Sequence, residues 1–166
     1  MVHVDLLSRQ VGNLSTPNMS TGPFARLQAA AIDGRAHNVF FRQTQLERLF
    51  KGLLAEEANL RDAMINDSKY TPAEAIAVLH ASMQVIRGCY DGIQPKRALE
   101  EEYRIAHGKD ASNAETPVGL VYVEPHPHTL LYSVCAAVSP AIAAGNCIIV
   151  LVSRSFSFPG PSGGIL

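Results

Sequence analysis

The sequence predicts an α/β fold that is mostly helical, in which N-terminal helices pack on a single βαβ unit. Its 166 residues match about one domain, and 47% of them are hydrophobic, which is enough to build a core. Helical periodicity dominates residues 42–92. Two short β-branched runs, Gly119 to Val123 and Cys147 to Val152, enclose an apolar helical stretch, and this order is typical of a parallel βαβ unit.

Composition excludes several classes of protein. Fourteen basic and fifteen acidic side chains give a net charge of −1, and no basic stripe is interleaved with aromatics, so we expect no nucleic-acid binding. Three cysteines without a CxxC pair argue against a disulfide scaffold or a zinc knuckle and fit a reducing compartment. The first residues lack the pattern of a secretory signal, so the expected location is cytoplasmic.

The N-terminal part is predicted to begin with an arm. Residues 1–22 contain Ser, Thr, Pro, Asn and Gly with little periodicity. Phe24 to Ile32 is rich in alanine and predicts a short helix that ends at Asp33-Gly34. We expect residues 23–152 to form one domain, and residues 153–166, rich in Ser, Pro and Gly, to form a flexible tail.

Two longer helices follow in the prediction. Arg42 to Asp67 carries an apolar stripe at helical spacing and is expected to bend at Gly52 or within 57–59. The stripe consists of Leu46, Leu49, Phe50, Leu53 and Leu54. Thr71-Pro72-Ala73-Glu74 matches a capping box with proline at the first helical position. This helix is expected to end at Gly88 or Gly92, with an apolar face of Ile76, Leu79, Met83 and Ile86.

The region between these helices and the βαβ unit is predicted to be non-helical. Residues 94–116 are polar and charged, and Tyr103 and Ile105 alternate with polar neighbours, which favours an exposed extended arm or hairpin. The uncharged stretch from Leu130 to Val152 is long enough for a membrane span. Because Gly145-Asn146 interrupts it, a buried helix, a turn and a strand are the better prediction, with no membrane span.

Two segments resemble the aldehyde dehydrogenase superfamily: residues 117–123, PVGLVYV, and residues 141–150, AIAAGNCIIV. Upstream, Arg42, Gln45, Leu46, Leu49, Asp67 and Glu74 look like the N-terminal helices of that family. The resemblance covers about residues 23–152. It implies N-terminal helices of a truncated aldehyde dehydrogenase packed on an incomplete βαβ unit of Rossmann type.

The departures from that family are more informative than the match. The chain lacks the segments that carry the family's catalytic cysteine, general-base glutamate and glycine-rich turn. His128 stands where the resemblance places the oxyanion-binding asparagine, with Pro127 at the tryptophan and Leu130 at the proline of that loop. Leu151 stands at the lysine that contacts the cofactor ribose. The resemblance therefore implies neither aldehyde oxidation nor a bound cofactor.

A candidate site lies in the loop after the first strand, where open α/β sheets place ligands. We expect His128 to donate a hydrogen bond to a substrate carbonyl, assisted by His126, Glu124 or Tyr132. The expected substrate contacts are Tyr122, His80, Met83, Thr129 and Cys135. The alternatives are that the loop histidines are merely exposed, that His80 is a core or surface residue, and that Cys135 is a small buried apolar residue. No third imidazole has metal-ligand spacing, so no metal site is predicted.

The predicted function is that of a cofactor-independent, non-redox enzyme acting on an apolar carbonyl compound, such as a terpenoid or polyketide aldehyde. The expected reaction is isomerisation, dehydration or cyclisation, including pericyclic closure of the Diels–Alder type. One alternative is a non-catalytic relative or partner subunit of a full-length aldehyde dehydrogenase. Another is a true NAD(P)-dependent aldehyde dehydrogenase whose gene model is truncated. A homo-oligomer is expected, because two strands make a poor independent sheet.

Overall fold

The computed structural model describes residues 22–109 and 116–151, which form six α-helices and a two-stranded sheet. The helices are α1 (Pro23–Ile32), α2 (Val39–Ala55), α3 (Glu57–Ser68), α4 (Pro72–Gly92), α5 (Pro95–Ala106) and α6 (Leu130–Ala143), and the strands are β1 (Leu120–Val123) and β2 (Cys147–Val150). Single 3-10 turns span Arg35–His37 and Pro127–Thr129. Apart from Gly22, the predicted arm and tail lie outside the described residues.

The helix predicted from Arg42 to Asp67 is two helices. It begins earlier than predicted, at Val39, because the Asn38 side chain caps it by accepting hydrogen bonds from the Phe40 and Phe41 amides. The break falls at Glu56, one residue before the predicted 57–59 bend, where the backbone leaves the helical conformation. The predicted apolar stripe faces the core except for Leu54, which is exposed.

The capping box of α4 is confirmed. The Thr71 hydroxyl accepts a hydrogen bond from the Glu74 amide, and the Glu74 carboxylate accepts one from the Thr71 amide at 2.8 Å. The helix runs to Gly92, the second of the two predicted ends. Its predicted apolar face was wrong at one position: Ile76 is 52% exposed, whereas Ala75 is fully buried. The buried face therefore runs through Ala75, Leu79, Ser82 and Ile86.

The predicted extended arm or hairpin at 94–116 is wrong over its first half, where α5 forms. Pro95 occupies the first helical turn, and Arg97 pairs with Glu101 at i,i+4 with an N–O distance of 3.0 Å. No residue of α5 is fully buried, and the helix packs lightly on α2. The charged run is thus the solvated side of a surface helix rather than a sign of extended chain. Residues 110–115 lie outside the described residues.

The C-terminal βαβ unit is confirmed, although β1 begins one residue later than predicted, at Leu120, and β2 ends at Val150 instead of the predicted Val152. β1 and β2 are parallel, with Leu120 opposite Cys147 and Val123 opposite Val150. Asn146, the last residue of the AIAAGN run, accepts a hydrogen bond at Oδ1 from the Gly119 amide at 3.0 Å, and the Cys147 amide donates to the Gly119 carbonyl. This side chain therefore sets where β2 starts relative to β1.

The core lies mainly where α4 packs on α6. One cluster consists of Leu46, Ile86, Cys135, Val138 and Ile142. A smaller cluster under α3 and α4 consists of Met64, Ala75 and Leu79. Small side chains such as Ser82 and Ser139, both fully buried, let α4 and α6 approach closely. Within residues 22–109 and 116–151, no helix has both the length and the apolar character needed to cross a membrane.

Candidate functional site

The candidate site is the loop that joins β1 to α6, at the carboxyl end of β1. Pro125 is buried and anchors this loop, while its neighbours Glu124 and His126 are exposed. The Ser133 hydroxyl, on the first turn of α6, lies 3.3 Å from the His126 carbonyl and 2.9 Å from the Thr129 carbonyl. The Tyr70 hydroxyl, from the link between α3 and α4, donates to the His128 carbonyl. The loop backbone is thus tied to α6 and to this link.

The structure brings His126 and His128 together. Their ring centroids are 5.3 Å apart, and the ring planes are inclined by 41°. The His128 amide donates to His126 Nδ1 at 3.3 Å. Because Nδ1 accepts this bond, the neutral His126 ring carries its hydrogen on Nε2, which makes Nε2 a donor. Two imidazoles therefore stand side by side on the surface.

The other predicted catalytic residues are near in sequence but are not joined to this pair. Within the described part of the chain, no hydrogen bond or ring contact links Glu124 or Tyr132 to either histidine. Both side chains are exposed. Tyr122, predicted to contact substrate, is 58% exposed on β1. The surface around the histidines is accordingly open and polar.

The remaining predicted substrate contacts are spread over the molecule. His80 is exposed on α4, with its Nε2 atom 3.4 Å from the Gln84 amide nitrogen. Met83 packs on the cluster under α3 and α4. Thr129 is exposed beside the histidines. Cys135 is 1% exposed in the main core, where burial raises the pKa of its thiol to about 11. This placement suits a packing role for Cys135.

Among the residues that the structure describes, no three His, Cys, Asp or Glu side chains are grouped so as to hold a metal ion. Leu151, at the position where the resemblance expects a cofactor-binding lysine, follows β2 directly and is exposed. Its neighbour Val152 lies outside the described residues.

Sequence reasoning did not anticipate a cavity of about 130 Å³ that lies away from the histidines. It is open to solvent on one side and lined by α1, the first 3-10 turn, α2, the end of α6 and the start of β2, and none of the predicted site residues lines it. Its polar lining residues are Arg35, Arg42, Gln45 and Asn146. One signal was available: Arg42 and Gln45 share the side of α2 that carries Leu46 and Leu49, so polar groups were aimed toward the core.

Comparison of the chain with family descriptions, with curated proteins and with solved structures finds no match.

Proposed function

We propose that the His126–His128 pair performs cofactor-independent, non-redox proton transfer on an apolar carbonyl compound. The observation that carries this proposal is the placement of two imidazoles 5.3 Å apart at the carboxyl end of a parallel strand. Imidazole is the side chain best suited to exchange protons near neutral pH, and strand ends of this kind are common ligand positions. The resemblance to aldehyde dehydrogenases supports a carbonyl compound as the substrate class.

The hydrogen bond between the His128 amide and His126 Nδ1 favours a division of roles. His126 Nε2–H donates to the carbonyl oxygen, and His128 removes a proton from the adjacent carbon. In a β,γ-unsaturated carbonyl compound, returning that proton to the γ-carbon of the resulting dienolate moves the double bond and completes an isomerisation, with no atom gained and no electron transferred to another molecule. This reverses the expectation that His128 is the donor, because His126 Nδ1 is already engaged as an acceptor. Glu124 and Tyr132, exposed nearby, assist by contacting the substrate.

The proposal is tested first in the cell. The producing organism without this gene is complemented with wild type, with His126→Gln, with His128→Gln, or with His107→Gln as a control histidine directly after α5. We expect the deletion to accumulate a compound with the mass of the lost product, or of that product plus water. Wild type and the control should restore the product, whereas both loop variants should not. A lost product that differs by two hydrogens or by one oxygen would contradict non-redox chemistry.

A purified-protein assay complements this. The protein is incubated with 2-octanone in D₂O, and exchange of the α-protons is followed by NMR. We expect wild type to exceed the same concentration of free imidazole and the two loop variants to fall at least tenfold, since positioned acid–base groups contribute about 10²-fold or more. Exchange no faster than free imidazole would count against the site. A rise in melting temperature with NADP⁺ would contradict independence from a cofactor.

We propose a self-associating, non-catalytic role as the second candidate, on a different observation. In the described residues the sheet contains β1 and β2 alone, so each strand has an outer edge without a neighbouring strand. Tyr122, on β1, is largely exposed. A second copy of the chain would cover these groups. Light scattering coupled to size exclusion separates the candidates: a dimer in which both histidine variants keep full biological effect favours this role.

A further inference from the structure

The cavity between α1, α2 and the start of β2 contains polar groups that the fold leaves unused. Gln45 is 6% exposed and lines the cavity, and within the described part of the chain its amide makes no hydrogen bond. Neither amide atom of Gln45 is among the fully buried unpartnered atoms of the described residues, so the amide keeps contact with solvent inside the cavity. A ligand in the cavity therefore finds a free donor and a free acceptor on Gln45.

Arg42 adds a positive charge on the same wall, on a side chain that is partly buried. Its Nη1 donates to the Ala143 carbonyl at 2.7 Å, but its Nε is buried with no partner among the described residues. Burial lowers the pKa of the guanidinium, and the carboxylate of Glu102 on α5 partly offsets this. Glu102 is not among the lining residues of the cavity. The guanidinium is thus only partly compensated.

The charged residues that line the cavity are all basic. Arg35 and Arg42 both line the cavity, and no Asp or Glu does. Arg35 forms no ion pair with any carboxylate in residues 22–109 and 116–151. Arg35 is exposed and Arg42 is partly buried, so the two guanidinium groups stand on a cavity that is open to solvent. Together they favour an anion, and a carboxylate matches their planar donor geometry.

The rest of the lining is apolar and limits the size of the ligand. Leu27, Phe41, Ile142 and Ile148 are its large apolar lining residues. A cavity of about 150 Å³ lined by such residues accommodates benzene, which has six non-hydrogen atoms. The present cavity of about 130 Å³ therefore fits a carboxylate with a two- or three-carbon tail.

We propose that this cavity binds a short-chain monocarboxylate, with Arg35, Arg42 and Gln45 holding the carboxylate and the apolar wall enclosing the tail. The site shares no residue with the His126–His128 pair and does not depend on the function proposed for it. Since the cavity reaches both the end of α6 and the start of β2, an occupied cavity would stabilise the junction between the helices and the sheet.

The test uses butyrate and its neutral isostere butyramide on the purified full chain. We expect butyrate to raise the melting temperature in a saturable way, with a calorimetric Kd below 10 mM, and butyramide to bind at least tenfold more weakly. Equal binding of the two compounds would overturn the assignment of an anion site. Absence of saturable butyrate binding at 50 mM would overturn the site as a whole.

Variants locate the binding. Gln45→Leu and Arg35→Gln each remove a polar lining group, and both should weaken butyrate at least tenfold while the variants remain folded by circular dichroism. Arg48→Gln is the matched control, because Arg48 is exposed on α2 and does not line the cavity. An equal loss in Arg48→Gln would indicate general charge attraction and contradict the proposal. His128→Gln should bind butyrate as wild type does, which separates this test from that of the proposed function.

Cysteine protection gives a second readout that does not depend on affinity alone. Cys147 lines the cavity, whereas Cys89 packs against the main core cluster on α4. Saturating butyrate should slow alkylation of Cys147 by iodoacetamide at least fivefold and leave Cys89 unchanged. Equal slowing of both thiols would mean that butyrate stabilises the whole protein without occupying this cavity, and would contradict the proposal.

Discussion

Gly145 and Ala36 come so close that a side chain at position 145 has no room. A Cβ atom added to Gly145 would lie 2.9 Å from the Ala36 carbonyl oxygen, and Gly145 has a φ of +85°. The turn between α6 and β2 is thereby pressed against the 3-10 turn that precedes α2. Two distant parts of the chain meet at a position where only glycine satisfies both the backbone angle and the contact.

We expect Gly145→Ala to destabilise the protein by at least about 1 kcal/mol, because it combines a left-handed backbone with a steric overlap. Gly88→Ala is the matched control, since Gly88 lies inside α4 and an added Cβ there meets nothing within 4 Å. That change should stabilise the protein by about 0.5–1 kcal/mol. Urea unfolding measures the change in unfolding free energy of each variant. A Gly145→Ala variant as stable as wild type would contradict the close approach of Gly145 to Ala36.

Ile86 and Ile76 lie on the same helix but in opposite environments. Ile86 is 1% exposed and belongs to the main core cluster, whereas Ile76 is 52% exposed. Ile86→Ala should therefore cost about 2–5 kcal/mol, because it leaves a cavity between α4 and α6. Ile76→Ala should change stability by less than about 0.5 kcal/mol. Chemical denaturation measures the unfolding free energy of each variant. A similar loss of stability in both would mean that α4 does not turn Ile86 toward the core and Ile76 toward solvent.

The capping box of α4 predicts a dependence of stability on pH. Hydrogen bonds from the Thr71 amide, and then from its hydroxyl, lower the pKa of Glu74 in the folded chain. A lowered carboxyl pKa contributes stability above the unfolded value of about 4.3, and this contribution is lost as pH falls through the folded pKa. Glu74→Gln keeps an acceptor but cannot titrate.

The measurement is the unfolding free energy of wild type and Glu74→Gln between pH 3 and pH 7. Wild type should be the more stable at pH 7, and the difference should shrink below about pH 4. Thr71→Ala, which removes the N-cap, should cost about 1 kcal/mol. A difference between wild type and Glu74→Gln that is constant over this pH range would show that the charge of Glu74 does not contribute.

Several elements could be predicted from the sequence because their signals are local. Thr71 and Glu74 are three residues apart and define a helix start without help from the rest of the chain. Gly145-Asn146 ends α6 by its own backbone preference, so the uncharged stretch from 130 to 152 resolved into helix, turn and strand. The adjacency of His126 and His128 likewise followed from a short loop between a strand and a helix.

Other features were beyond local reasoning. The charged run at 95–106 could form an exposed helix or an extended arm, and its i,i+4 pairing with light packing on α2 gave the helix. The choice of Ala75 over Ile76 for the core depended on how α4 is rotated against α6, where small residues permit close contact.

By itself, the sequence determined the helical character of residues 42–67, the capped start of α4 and the parallel βαβ unit, because these depend on residues within a few positions of one another. Only the tertiary structure decided that Arg42 and Gln45 meet Arg35 and Cys147 around one cavity. That grouping joins positions more than 100 residues apart. It arises from the packing of α1, α2 and β2, a long-range arrangement that no local preference encodes.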